Sequence, residues 1–287
     1  MTKILVTGST GNIGSYVVDQ LLQKEVTVKA AVRDVKKGKQ FFSNSHAEVT
    51  AFDFLRPQTY KQALEDVTKI FLMRPPHLSS PEKDMLPFLE SAKAAGVEHI
   101  VFVSLFGVEK NPFVPHRKIE SFIRDLGFNY TFLRPGFFMQ NLNTTHRKDL
   151  LYRGELFIPA GNAKTNFIDT RDIAACAAVC LTDHGYINKA YTLTGNEAIT
   201  YYQAASIMSD VLHRDIIYTN PGLLEFRKAF IKRGTPKTFA NVMMMLYLMT
   251  KLGTAEKVTD EAEKLLGRKP ITFRQYVEDH AEFFERR

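Results

Sequence analysis

The chain has 287 residues, 45% hydrophobic and 24% charged, which is enough apolar material for one large domain or a core domain with an appendage, and too much for a disordered chain. Its 38 Lys and Arg exceed its 31 Asp and Glu for a net charge of +7, but the cations are scattered and no DNA-reading motif accompanies them, so nucleic acid is not an expected partner. The longest apolar run, Val242 to Met249, falls far short of the ~20 residues of a membrane span, and Lys3 is followed too soon by Thr7 and Gly8 for a secretory signal, so a cytoplasmic protein with no membrane partner is expected.

The chain opens with a short apolar run, Ile4 to Val6, followed by Gly8, Gly11 and Gly14. An amphipathic pattern comes next, with Ile13, Val17, Val18, Leu21 and Leu22 on one helix face. Strand, glycine-rich turn and helix in that order make a phosphate-binding device. Glycine permits the tight turn, and the helix start offers unpaired N–H groups and the positive end of its dipole. Thr10, Asn12 and Ile13 complete the loop and join the glycines as cofactor-binding candidates.

Further strands are predicted at 26–32, 47–52, 67–73, 98–103 and 128–133 after the first at 3–7, with helices near 13–24, 57–65, 82–95 and 115–126. This alternation predicts a parallel sheet with helices on both faces, whose ligands bind beyond the carboxyl ends of the strands. Past residue 135 the rhythm changes: a helix from Asp169 to Leu181, a strand at Tyr191 to Leu193, and mostly helix after Tyr201. The expected division is residues 1–135 with about 165–195 as the nucleotide-binding domain, and 136–164 with 196–287 as a smaller substrate domain. Cys176 and Cys180 fit no redox or zinc spacing and read as small buried apolar side chains. The histidines show no ligand spacing either, and no metal is expected.

The strand ends supply the remaining candidates. Arg33 lies where an acidic residue would hold the ribose of NAD, and an arginine there suits the 2′-phosphate of NADP, with Lys37 one turn on. Asp34 complicates this, since a one-residue shift would bring a carboxylate to the ribose. Asp53 and Phe54 stand where an adenine could lie, although Asp53 could equally cap the next helix. Met73 and Arg74, before Pro75-Pro76, form a stiff wall beside the cofactor path. Ser104 follows the fifth strand, and Arg134-Pro135-Gly136-Phe137 the sixth.

The chain resembles the atypical, NmrA-like branch of the short-chain dehydrogenase/reductases, near the NAD(P)H:quinone oxidoreductases and triphenylmethane-dye reductases. The resemblance rests on Thr7 to Gly14, Val32-Arg33-Asp34, Ser104, His116-x-x-x-Glu120, Leu133 to Phe137, Gln140-Asn141 and Phe167 to Ala174. It implies an α/β fold, a Rossmann-type doubly wound parallel sheet with a smaller, mostly helical C-terminal substrate domain. It also implies an NADP cofactor, with NADPH preferred over NADH. Pro135, Gly136 and Phe137 would seat the nicotinamide with Ser104, and Phe138 and Asn141 would face the substrate.

One departure bears on chemistry. Where most short-chain dehydrogenases carry Tyr-x-x-x-Lys, this chain has His116-Arg117-Lys118-Ile119-Glu120. The spacing puts His116 and Glu120 on one helix face. Glu120 could orient the imidazole and raise its pKa, making His116 the proton donor, with Ser104 and Glu120 completing the catalytic set. The pair also reads as a helix-start histidine beside a surface carboxylate. Reducing a ketone requires a positioned acid, whereas a quinone or cationic dye gives a resonance-stabilised adduct. Two functions follow: an NAD(P)H-dependent reductase of a small, quinone-like or otherwise conjugated acceptor, or a regulatory protein that binds the dinucleotide and a protein partner without turnover.

Overall fold

The computed structural model describes residues 2–285; Met1, Arg286 and Arg287, which the expected domain ranges include, lie outside the described residues. The chain divides into two compact units, residues 1–135, 170–193 and 261–267 in the first and 136–169, 194–260 and 268–287 in the second. The strand at 164–168 therefore goes with the second unit, and the short helix near 261 with the first.

The first unit contains β1 (Lys3–Val6), α1 (Gly14–Leu22), β2 (Thr27–Val32), α2 (Val35–Phe41), β3 (Glu48–Ala51), α3 (Tyr60–Leu64), β4 (Lys69–Met73), α4 (Pro81–Asp84), α5 (Leu86–Ala94), β5 (His99–Val103), α6 (Pro115–Asp125) and β6 (Asn129–Pro135). The chain then continues through β7 (Phe137–Phe138), α7 (Arg147–Arg153), β8 (Glu155–Leu156), β9 (Lys164–Ile168), α8 (Thr170–Thr182), β10 (Lys189–Leu193), β11 (Ala198–Thr200), α9 (Tyr201–Leu212), β12 (Ile217–Tyr218), α10 (Leu223–Lys232), α11 (Lys237–Lys251), α12 (Glu261–Leu266) and α13 (Phe273–Asp279).

Seven strands form one sheet in the order β10-β6-β5-β4-β1-β2-β3, every neighbouring pair parallel. The order reverses at β1, which lies between β2 and β4, so the crevice that a doubly wound sheet offers to ligands opens beyond Val6. Burial on both faces explains why β4 and β5 read as continuous apolar runs rather than as alternating ones. Helix α1 buries Val17, Val18 and Leu21 as its periodicity predicts.

Two departures from the predicted elements have local causes. The helix expected at 82–95 breaks at Met85, because Pro87 lacks an N–H and its ring collides with the preceding turn. The stretch after Arg33, where no helix was predicted, forms α2, with Asp34 as its cap. Cys176 and Cys180 are buried and unbridged, and burial pushes the Cys180 thiol up to about 12.

The second unit has its own core, in which Leu150, Tyr201, Met208, Phe226, Tyr247 and Tyr276 are buried. Its strands are short: β9 pairs parallel with β7 and antiparallel with β11, and β12 pairs parallel with β8. Helices α9, α10, α11 and α13 make up most of the rest.

Candidate functional site

The loop after β1 is anchored on both sides of the switch point. Thr7 Oγ1 donates to Phe71 O at 3.1 Å and accepts from Met73 N at 2.9 Å, tying it to β4. Ser9 Oγ donates to Ala31 O at 2.8 Å, tying it to β2. Gly8 has φ +63° and its carbonyl accepts from Gly11 N at 2.9 Å, which closes the turn. A Cβ at Gly14 would stand 2.2 Å from Gly8 O, so only glycine lets α1 start this close to the loop.

Gly8, Thr10, Gly11 and Asn12 are exposed, whereas the Ile13 side chain is fully buried and can offer a ligand only its backbone. Among the described residues, the N–H groups of Thr10, Asn12 and Ile13 donate to no backbone oxygen. The first turn of α1 carries no acidic side chain. These unpartnered donors at a helix start match a pyrophosphate in position and sign.

Beyond β2, Asp34 Oδ1 accepts from Lys37 N at 3.1 Å and caps α2, which commits one of its carboxylate oxygens to the helix start. Arg33 and Lys37 are exposed, with no carboxylate in ion-pair reach among the described residues. Met73, half-buried, flanks Gly8. The fit to a dinucleotide therefore rests on a cradle that a Cβ would fill, free N–H donors and an uncommitted cation.

Three of the expected cofactor contacts are engaged within the first unit itself. Phe54 is buried, its ring packed edge-on against Phe52 at 4.7 Å and Phe88 at 5.3 Å, so its face is not free to cover a base. Asp53 turns its own loop, with Oδ1 accepting from Leu55 N at 2.9 Å. The Arg74 guanidinium donates to the carbonyls of Pro75, Pro76 and Leu78 at 3.0, 3.2 and 2.6 Å, making it the staple of the 74–78 turn.

The residues expected to catalyse form a different constellation from the one predicted. Glu120, fully buried, takes Arg134 in a two-pronged grip, Nε to Oε1 at 3.0 Å and Nη2 to Oε2 at 2.8 Å. Arg124 and Arg117 stand at 3.6 and 3.9 Å. Ser104 Oγ donates to Glu120 Oε1 at 2.6 Å, so its hydroxyl proton is committed and only its lone pairs remain for a ligand.

His116 makes no hydrogen bond to Glu120. Its ring lies 6.0 Å from Phe102, and burial followed by the Arg74 charge pushes its pKa down to about 3. The expectation that Glu120 raises the His116 pKa is thus overturned, because Glu120 is saturated by arginines and His116 is left beside a cation. Sequence reasoning singled out Arg134 only as part of a motif. The signal that could have found the pair was Glu120 itself, a carboxylate on the apolar face beside Ile119 and Ile123 of α6, which demands a cationic partner.

In the second unit, Gly136 is required by packing, since a Cβ there would stand 2.0 Å from Asn166 Oδ1. Phe137 and Phe138 form β7 and are half-buried, as is Asn141, whose carbonyl accepts from His146 N at 3.0 Å. A second buried pair escaped notice in the sequence: His146 Nε2 lies 2.7 Å from Tyr247 Oη. Among the described residues, no group of His, Cys, Asp or Glu could hold a metal, and no helix is long and apolar enough to cross a membrane.

The whole-chain comparisons agree with one another. The NAD(P)H azoreductase of Xenophilus azovorans is 33% identical over 288 residues, spanning 98% of this chain and 99% of that protein. The triphenylmethane reductase of Citrobacter sp. in complex with NADP(H) superposes with a TM-score of 0.86 at 27% identity, covering 96% of this chain and 99% of that one. The NADPH complex of quinone oxidoreductase QOR2 from Escherichia coli gives 0.87 at 26%, covering 97% and 99%. The NmrA-like family model matches residues 1–277, and the chain belongs to the NmrA-like family.

Proposed function

We propose that the protein is an NADPH-dependent reductase that delivers hydride to a quinone-like or other conjugated acceptor. The coarser part, an NAD(P)H-dependent oxidoreductase, is carried by relatives named NAD(P)H azoreductase and NADPH-dependent quinone oxidoreductase over nearly the whole chain. The backbone N–H groups of Thr10, Asn12 and Ile13 hold the pyrophosphate, and Arg33 with Lys37 holds the 2′-phosphate. Bound there, the cofactor supplies a hydride at its nicotinamide C4.

The observation that carries the acceptor class is that the strand-end cluster holds no acid ready to give up a proton near neutral pH. His116 is neutral, Ser104 has committed its proton to Glu120, and Glu120 is a carboxylate fixed by Arg134. Reduction of an isolated ketone would leave an alkoxide with no donor. A quinone or a cationic dye spreads or cancels the incoming charge by resonance, and water protonates it afterwards. Ser104 then serves as a fixed acceptor.

The test is NADPH oxidation against a panel of quinones, azo and triphenylmethane dyes, and simple ketones. Turnover of the conjugated acceptors and not of the ketones is expected. In the same assay His116→Ala should lower kcat/KM by less than about tenfold, against the 100-fold or more typical of losing a general acid. A folded, NADPH-binding but inactive His116→Ala protein would overturn the account of proton delivery. Tight NADPH binding without turnover of any acceptor would favour the regulatory dinucleotide-binding reading instead.

A further inference from the structure

Helices α10 and α11, joined by residues 233–236, present an unusual outer surface. Their inner face is ordinary: Phe226 and Phe230 on α10 and Ala240, Met243 and Tyr247 on α11 are buried at helical spacing. The opposite face of α11 is apolar as well. Phe239, Val242, Met245, Leu246 and Met249 recur at three- and four-residue steps and are 41 to 54% exposed. Leu252, 68% exposed, extends the stripe past the helix end. A helix that is apolar on two faces is built for two partners, and the second is not supplied by the described residues.

Charge identifies that partner. From Gly222 to Leu252 the chain carries Arg227, Lys228, Lys232, Arg233, Lys237 and Lys251 against the single carboxylate Glu225, so net +5 of the whole chain's +7 sits on this hairpin. Arg233 is neutralised by Asp149 at 2.7 Å. The other five have no carboxylate in ion-pair reach among the described residues. Arg227 instead donates through Nε to Asn241 Oδ1 at 2.6 Å, at the border of the apolar stripe. A second copy of this face would bring two strongly positive surfaces together, which disfavours self-association. An exposed stripe of flexible Met and Leu side chains on a hairpin that carries net positive charge matches a fluid apolar layer beneath a negative surface.

We propose that the outer face of α11, with the basic residues of the hairpin, is a peripheral docking surface for anionic lipid bilayers. The apolar stripe enters the boundary between headgroups and acyl chains, while the cations meet lipid phosphates. That no helix among the described residues is long and apolar enough to span a membrane has no bearing on this mode of attachment. An enzyme docked there meets acceptors dissolved in the bilayer; that benefit rests on the function proposed above, but the docking itself does not.

The experiment is sedimentation of the full chain with vesicles of phosphatidylcholine alone and of phosphatidylcholine mixed with phosphatidylglycerol, at low and high salt. Wild type and the exposed-site variants Lys228→Glu/Lys232→Glu and Leu246→Glu/Met249→Glu are compared. NADPH turnover of a water-soluble quinone is followed in parallel and should be equal in all three, so that docking and activity are read separately. Wild type should sediment with the anionic vesicles only, and each double variant should partition at least about tenfold less. Failure to sediment with anionic vesicles, equal sedimentation with both vesicle types, or a wild-type dimer that the Leu246→Glu/Met249→Glu variant converts to monomer would each overturn the proposal.

Discussion

The Glu120 cluster makes a sharp energetic prediction. Glu120→Gln keeps the volume of the side chain and removes its charge, leaving the guanidinium of Arg134, whose side chain is only 14% exposed, opposite a neutral amide. The two prongs at 3.0 and 2.8 Å and the Ser104 bond at 2.6 Å all point at the oxygens being changed. Removing one partner of a buried ion pair costs roughly 3–5 kcal/mol, because the surviving charge stays desolvated without compensation. Here Glu109, 3.4 Å from Arg134 Nη1, retains part of the field, so about 3 kcal/mol is expected.

The chain has no Trp, so urea unfolding is best followed by circular dichroism, comparing midpoint and slope. Arg124→Ala is the control: its side chain is 36% exposed and sits 3.6 Å from Glu120, so it should cost less than about 1 kcal/mol. Glu120→Gln/Arg134→Leu, which removes both charges, should recover most of the loss. A Glu120→Gln protein within about 1 kcal/mol of wild type at unchanged slope would refute the reading of the cluster as a tightly coupled buried pair.

Three further outcomes are expected. Arg33→Ala should cut the preference for NADPH over NADH by roughly 10- to 100-fold, the worth of a charge-assisted phosphate contact; an unchanged ratio of the two kcat/KM values would remove Arg33 from the 2′-phosphate site. Gly14→Ala should fold yet bind NADPH at least about tenfold more weakly in a direct titration, because its Cβ forces the loop away from Gly8 O; unaltered affinity would show that the close approach is dispensable. The buried imidazoles of His99 and His146 are pushed down from 6.5 to about 4 and about 3, by burial first and then by neighbouring cations. The unfolded chain takes up those protons below about pH 6.5 while the native state refuses them, so stability is full above that point and declines as pH falls toward 4, by as much as about 3 kcal/mol for His99. His99→Gln should flatten that decline, and equal unfolding midpoints at pH 7 and about 4.5 in wild type would contradict the assignment.

Local pattern was enough for the parallel sheet. A strand buried on both faces reads as a continuous apolar run, and each run ended within a residue or two of its predicted end, β6 running furthest past it, to Pro135. Proline and capping chemistry explain where the helices differed: Pro87 splits one, and Asp34 starts another. The tight turn after β1 was legible because it is a matter of backbone, and the glycines that permit it are written in the sequence.

Side-chain pairing was not legible in the same way. Glu120 and Arg134 are fourteen residues apart, on a helix and on the neighbouring strand end, and nothing in their spacing says that they meet. His116 and Glu120 share a helix face, but only packing decided that Glu120 would turn to Arg134 and Ser104 while His116 faced Phe102 and Arg74. Phe54 stands at a strand end that could serve a ligand or the core, and two aromatic neighbours, Phe52 and Phe88, took it for the core.

The sequence by itself determined the features on which the proposed phosphate contacts rest, since helix starts, tight turns and the residue after β2 are local matters. Tertiary structure alone decided which charges are paired, and hence which protons are free. Ionisation depends on burial and on partners brought in from other strands and helices. That is why His116 changed from a proton donor to a neutral ring once its surroundings were known.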